Sequence, residues 1–361
     1  MIVFKSIFKT NGEKKAQIIE KIKTFLLEFD AEFILSQCEF VAASDKDPEL
    51  ISKLILPFKF DALKAELEQT FDKLTIEYQL QLASLSKLHH NKLAQIKHVV
   101  AVASGKGGVG KSTTTVNIAR SLASFGAKVG VLDADIYGPS IPLMFGLQGQ
   151  QPDTHDGKIM QPLVSDEGIK CNSIGFLVDP NDAAIWRGPM ASRALTQLFN
   201  ETQWGELDYL LIDLPPGTGD IQLTLTQSLP LSGAIVVTTP QNIALADAKK
   251  AIAMFNKVNV AVLGLIENMS LHVCSQCGHV EHIFGCDGGK SLAAKEGVNV
   301  LGMTALDINL REIMDNGDTN GFKQASFFRD YQKISLKLAN ELYTLAQARP
   351  ASQSIEITQL D

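Results

Sequence analysis

Apolar residues at 18, 19, 22, 25, 26 and 27 recur at helical spacing, and the pattern predicts an amphipathic helix over 15–29. Leu54-Ile-Leu-Pro-Phe58 reads as a short strand. Asp61 is placed to cap a helix running through Leu74, and Thr75-Ile-Glu-Tyr-Gln-Leu80 alternates like a second strand. Residues 1–90 are therefore expected to form a small α/β domain, joined through a polar linker at 81–95. From Ile96 the pattern changes. Apolar runs at 99–103, 129–133, 209–213, 234–238, 262–266 and 298–303 alternate with helical stretches at 111–125, 243–257, 288–296 and 326–347. Continuous apolar strands joined by helices predict an α/β fold with a mostly parallel sheet covered on both faces over 91–348. The polar stretch 349–361 is expected to fray.

The chain has 361 residues, enough to bury a sizeable core, and 33 basic against 40 acidic residues give a net charge of −7. That balance argues against a diffuse nucleic-acid-binding surface. No apolar run approaches the ~20 residues of a membrane-spanning helix, and 349–361 lacks a basic amphipathic pattern. Neither nucleic acid nor membrane is expected as a partner. The N-terminus shows no secretory h-region, and five cysteines in so long a chain do not form a disulfide framework, so a reducing cytoplasm is expected.

The first chemical signal follows the first apolar run. Gly105-Lys-Gly-Gly-Val-Gly-Lys-Ser112 satisfies G-x-x-x-x-G-K-[ST] between a strand and a helix. Its glycines let successive N–H groups, from Gly105, Lys106, Gly107, Gly108, Val109 and Gly110 to Thr113, face a polyphosphate at a helix N-terminus. Lys111 would reach the β/γ-phosphates and Ser112 would hold Mg²⁺, so ATP and Mg²⁺ are expected as ligands. Strands ending in Asp133-Ala-Asp135 and in Asp213 place carboxylates at the sheet edge where ligands bind. Thr238-Thr-Pro-Gln241 and Glu267-Asn268 also follow strands, and Asn268 offers a donor and an acceptor to an adenine edge.

The second lysine in the loop, Lys106, makes the motif G-K-G-G-x-G-K-S. This resembles the deviant Walker A of the MinD/ParA/nitrogenase-iron-protein class of ATPases. The resemblance implies that Lys106 reaches the phosphates of a partner subunit in a nucleotide-sandwich homodimer. It also implies that Asp213 supports the metal, that Asp135 positions the attacking water with Asp133 as helper, and that Gln241 and Asn268 meet the base. Lys106, Lys111 and Asp135 are then the candidate catalytic residues.

The segment 272–286 holds three of the five cysteines and three of the seven histidines. The pair Cys274-x-x-Cys277, followed by a glycine, turns two thiolates toward one point. Three chemistries fit it: a zinc site with His279 and His282, a redox dithiol, or half of a four-thiolate [4Fe–4S] site completed by a second subunit. Cys286 reads as a spare thiol or an extra ligand, and Cys38 and Cys171 as core residues.

The Walker A loop, D-A-D-I-Y-G-P-S at 133–140, W-R-G-P-M at 186–190, D-L-P-P-G-T-G-D at 213–220 and E-N-M-S…C-x-x-C…H-I-F-G at 267–285 occur in one order. Together they resemble the Mrp/ApbC family of iron–sulfur cluster carrier ATPases over about 95–340. The resemblance implies ATP hydrolysis, a homodimer with a labile [4Fe–4S] cluster bridged by Cys274 and Cys277 of each subunit, and apo iron–sulfur proteins as acceptors. Residues 1–90 carry no site and stand as a client-recognising or regulatory module.

Overall fold

The computed structural model describes residues 11–44, 47–71, 73–79, 95–155, 157–177, 188–318 and 321–348. In the N-terminal unit α1 (Asn11–Leu27) precedes a hairpin of β1 (Glu39–Ser44) and β2 (Asp47–Leu56), then α2 (Asp61–Thr70) and β3 (Thr75–Tyr78). β2 is central, antiparallel to β1 and parallel to β3. The β1 partner and the N-terminal half of β2 were not expected. Residues 39–44 lack the alternation of a half-buried strand. Asp61 is the first helical residue and not the cap, since Phe60 precedes it with no side-chain cap bond, and the helix ends at Thr70. Lys73 at φ 59° then turns the chain into β3 instead of extending the helix to Leu74.

The larger unit runs β4 (Ile96–Ser104), α3 (Lys111–Ser124), β5 (Val129–Asp133), α4 (Ile141–Met144), a ribbon of β6 (Thr154–His155) and β7 (Ile159–Met160), β8 (Leu163–Val164) and β9 (Lys170–Ser173). It continues with α5 (Gly188–Glu201), β10 (Leu207–Asp213), α6 (Asp220–Ser228), β11 (Gly233–Thr238), α7 (Asn242–Lys257) and β12 (Val262–Glu267). A hairpin of β13 (His272–Val273) and β14 (Val280–Glu281) leads to α8 (Gly288–Glu296), β15 (Val300–Met303), α9 (Ile308–Asn316) and α10 (Ser326–Ala348). The main sheet has the order β15-β12-β11-β4-β10-β5-β9-β8, parallel throughout except for β8 at the edge. β4, β10 and β11 are buried along almost their whole length, and alternate residues feed two cores. Val100, Val102, Tyr209 and Leu211 face the α3/α10 side, while Val99, Ala101, Leu210 and Ile212 face the α5/α7 side. The carboxyl ends of β4, β5, β10, β11 and β12 lie along one edge, and every expected site residue but the cysteine pair ends or follows one of them.

Candidate functional site

The loop between β4 and α3 is shaped by two close approaches. A Cβ on Gly105 would stand 2.2 Å from the Asp247 backbone of α7. Gly110 has φ +83°, and a Cβ there would lie 2.1 Å from the side-chain nitrogen of Asn268. Only glycine fits either position. Gly107 and Gly108 are exposed and Val109 is buried beneath them, leaving the outer face of the loop open. Lys111 opens α3, and Thr113 stands half-buried in its first turn.

Asp213, fully buried at the end of β10, organises the site. Its Oδ2 accepts from Lys111 Nζ at 2.8 Å and from Ser112 Oγ at 2.6 Å, and its Oδ1 accepts from Thr115 Oγ1 at 2.8 Å. Asp135 Oδ2 lies 3.4 Å from Lys111 Nζ. Burial pulls the Lys111 ammonium down, but Asp213, Asp135 and Asp133 more than offset it and hold its pKa above the ordinary value. Burial raises Asp135, with Lys111 opposing. Asp133 is held differently from its two neighbours. Its Oδ1 accepts from Asp135 N at 3.1 Å, and its Oδ2 from Ile141 N at 3.2 Å and Ser173 Oγ at 3.0 Å. Burial and the charge of Asp213 raise its pKa. Asp133 thus braces the loop that carries Asp135.

Lys106 stays outside this network, with its Nζ 3.4 Å from Gln241 Oε1 at the start of α7. Asn268 is nearly fully buried. It donates from Nδ2 to Val109 O at 2.8 Å, and its Oδ1 accepts from Thr304 Oγ1 at 2.6 Å and Met269 N at 3.0 Å. Thr115, Ser173 and Thr304 were not singled out from sequence. Thr115 had a signal, since it lies one helical turn after Lys111 on the same face. The other two are brought in by β9 and β15, and nothing local marks them. Trp186 and Arg187 of the W-R-G-P-M run lie outside the described residues.

The cysteine pair lies between β13 and β14, on the segment that leaves the same sheet edge after β12. Cys274 N donates to His279 O and Gly278 N to Cys274 O, both at 2.9 Å, with Gly278 at φ +71° closing the turn. The Cys274 thiol receives the N–H groups of Gln276 and Cys277, and then a bond from the Cys277 side chain, and its pKa is lowered. Cys277 is exposed. Among the described residues no group of three or more His, Cys, Asp or Glu side chains gathers around one point. His282 Nδ1 donates to Ser270 O at 2.8 Å and His272 Nδ1 to Leu306 O at 3.0 Å, so both fasten the hairpin. Cys286 is exposed and donates to Asp287 Oδ2 at 3.1 Å. Cys171 is buried in the core, whereas Cys38 is half-buried and packs against the core from its edge.

The site thus sets an anion-binding loop, with oxygen donors for a hard cation, beside a pair of thiols of which one is half-buried and one exposed. Residues 95–342 match the family model described as "ParA: NUBPL iron-transfer P-loop NTPase". The chain is 48% identical over 321 residues to the "Iron-sulfur cluster carrier protein" of Escherichia coli K12, covering 85% of this chain and 87% of that protein. A solved nucleotide-binding protein of Archaeoglobus fulgidus in complex with ADP is 39% identical, with TM-score 0.58, over 66% of this chain and 92% of that one. The cell-division ATPase MinD of Pyrococcus furiosus shares the fold at 20% identity and TM-score 0.50, over 69% of this chain and 99% of its own.

Proposed function

The chain belongs to the ParA/NUBPL family of iron-transfer P-loop NTPases, and we propose that it works as an ATP-fuelled carrier of a labile [4Fe–4S] cluster. It is an iron–sulfur cluster carrier; the finer reading concerns how the cargo is held and released. The observation that carries it is the Cys274/Cys277 turn, a half-buried and an exposed thiol on one turn with no third ligand gathered beside them among the described residues. A Cys₄ cluster needs four thiolates, so two subunits each supply a pair and the cargo is bridged between them. A shared cluster at an interface stays open to the thiols of an apo-protein acceptor. The carrier works as a homodimer in the cytoplasm.

ATP binds along 105–113 and takes Lys111 away from Asp213 and Asp135 toward the β/γ-phosphates. The donor set fits Mg²⁺, because Ser112 and Asp213 offer hard oxygens 2.6 Å apart; they would hold the ion, which would neutralise phosphate charge. Thr115 keeps Asp213 oriented. Asp135 orients the attacking water, and Lys106, outside the network of its own subunit, is available to the phosphates of the other. Hydrolysis then requires subunit closure.

Anaerobic reconstitution with ferrous iron and sulfide tests this reading, with iron content, visible spectrum and mass in solution as readouts. The expected result is about four irons per dimer, lost in a Cys274→Ala/Cys277→Ala double variant. One tight zinc per monomer, with iron refused, would sink it.

A further inference from the structure

The last residue of β12 and the three that follow it, 267–270, hold the phosphate loop on one side and both ends of the cysteine segment on the other. Asn268 donates to Val109 O at 2.8 Å, in contact so close that Gly110 admits no side chain. Two residues on, Ser270 O accepts from His282 Nδ1 at 2.8 Å, just past β14. One residue back, buried Glu267 accepts the N–H of Gly289, where α8 begins, and its other oxygen has no hydrogen-bond partner among the described residues. Thr304 ties the group together: its Oγ1 donates to Asn268 Oδ1 at 2.6 Å, and its carbonyl accepts from Ser270 N at 2.9 Å. The step between the two sites is forced locally, since Met269 sits at φ 55°. From the carbonyl of Val109 to the hairpin bearing Cys274 and Cys277 there are two side-chain hydrogen bonds and two residues of backbone.

We propose that 267–270 is the transmission element of this carrier, with Asn268 positioning the phosphate loop and His282, with Glu267, positioning the cysteine segment. The inference rests on the carrier reading for its purpose, but its geometry stands without a bound cluster. A nucleotide that draws the loop's N–H groups around its phosphates moves Val109 O, hence Asn268, hence Ser270 and the His282 anchor. The exposure of the two thiols follows. The coupling is reciprocal: whatever the thiols hold changes nucleotide affinity by the same factor. His282 touches neither nucleotide nor cargo in this scheme; it is a positioning residue.

The test uses the full-length chain, reduced, metal-free and anaerobic. Alkylation rates of Cys274 and Cys277 by iodoacetamide are followed by peptide mass, with and without a non-hydrolysable ATP analogue and Mg²⁺. The analogue is expected to change the rates about fivefold or more, the lower bound of ordinary coupling between sites. His282→Ala should reduce that ratio below about twofold, while its analogue affinity and its mass in solution stay those of the parent. His282→Asn, whose amide nitrogen can take the place of Nδ1, should restore the ratio. The exposed position of His282 keeps the fold out of the result. An unchanged ratio in His282→Ala overturns the proposal, as does a parent chain whose thiols ignore the analogue. Iron content after reconstitution judges the carrier reading separately, so the two can fail independently.

Discussion

Asp213 carries more of the site than any other single residue, because one buried carboxylate orients an ammonium and two hydroxyls. Asp213→Asn keeps the shape but leaves the Lys111 ammonium with Asp135 as its nearest counter-charge and, in the proposed mechanism, would weaken the hold on Mg²⁺. Hydrolysis should fall on the order of 100-fold, with the fold retained by circular dichroism. Activity within threefold of the parent would remove Asp213 from the metal site. A second residue-scale prediction concerns His98, buried on β4 against Tyr209, with neither ring nitrogen hydrogen-bonded among the described residues. Burial, with Lys97 adding to it, lowers its pKa from 6.5 to about 4. The unfolded chain takes up that proton near 6.5 and the folded chain only near 4. This histidine's share of stability is therefore whole above pH 6.5 and lost as the pH falls toward 4, a difference of roughly 3 kcal/mol. In His98→Leu the urea midpoint should decline less between pH 6.5 and 4.5 than in the parent; parallel declines would contradict the assignment.

Helix α3 links the phosphate loop to the N-terminal unit. Lys111 opens it, and Phe125 caps its far end inside a ring of Phe29, Phe58 and Phe60, with centroids 5.4–6.3 Å away. Phe125→Ala should cost about 3–5 kcal/mol, as for other buried aromatic truncations, read as a lower denaturant midpoint with an unchanged slope. A loss below 1 kcal/mol would mean that the ring collapses onto the gap. The same helix marks what sequence reading can reach. Its boundaries, the loop before it and the strands β4, β5, β10, β11 and β12 are strong local patterns, and they placed Lys111, Ser112, Asp133, Asp135 and Asp213 on one sheet edge. β8 was missed because it is only two residues long. β9, Lys170-Cys-Asn-Ser, reads as polar, since Asn172 and Ser173 are buried against side-chain partners supplied by other elements. Ser173 and Thr304 were illegible for the same reason, because pairing in space and not spacing in sequence delivers them. Of the helices not singled out, α6 has a weak amphipathic period, whereas α5 and α9 carry a clear one.

At the scale of the molecule, the expected division into 1–90 and 91–348 meets a core that crosses it. Ile18, Ile22, Leu26, Leu63 and Leu67 of the N-terminal unit lie in one apolar cluster with Phe125, Phe328 and Leu342 of the larger unit. The seam is held by Lys59 N donating to Phe125 O at 3.0 Å and Gln37 Nε2 donating to Asn340 Oδ1 at 3.1 Å. Exposed pairs, Lys333 with Asp30 at 3.1 Å and Arg329 with Glu28, add to it. Exposed ion pairs contribute at most about 1 kcal/mol each and weaken with salt, whereas the aromatic and aliphatic contact does not. The two units should therefore melt together, and raising salt to about 0.5 M, where the screening length is only a few ångströms, should not separate them. A chain beginning at residue 95 would expose Phe125 and Phe328, bind an apolar dye and unfold at lower temperature than the parent. Its phosphate loop lies at the opposite end of α3 and should still take nucleotide in the cold. Two separate calorimetric transitions in the full chain, or an unchanged melting temperature on truncation, would show that the N-terminal unit is an appendage. Only if the units melt as one can a client pressing on 1–90 be felt through α3 at Lys111, which is what a regulatory module in this position requires.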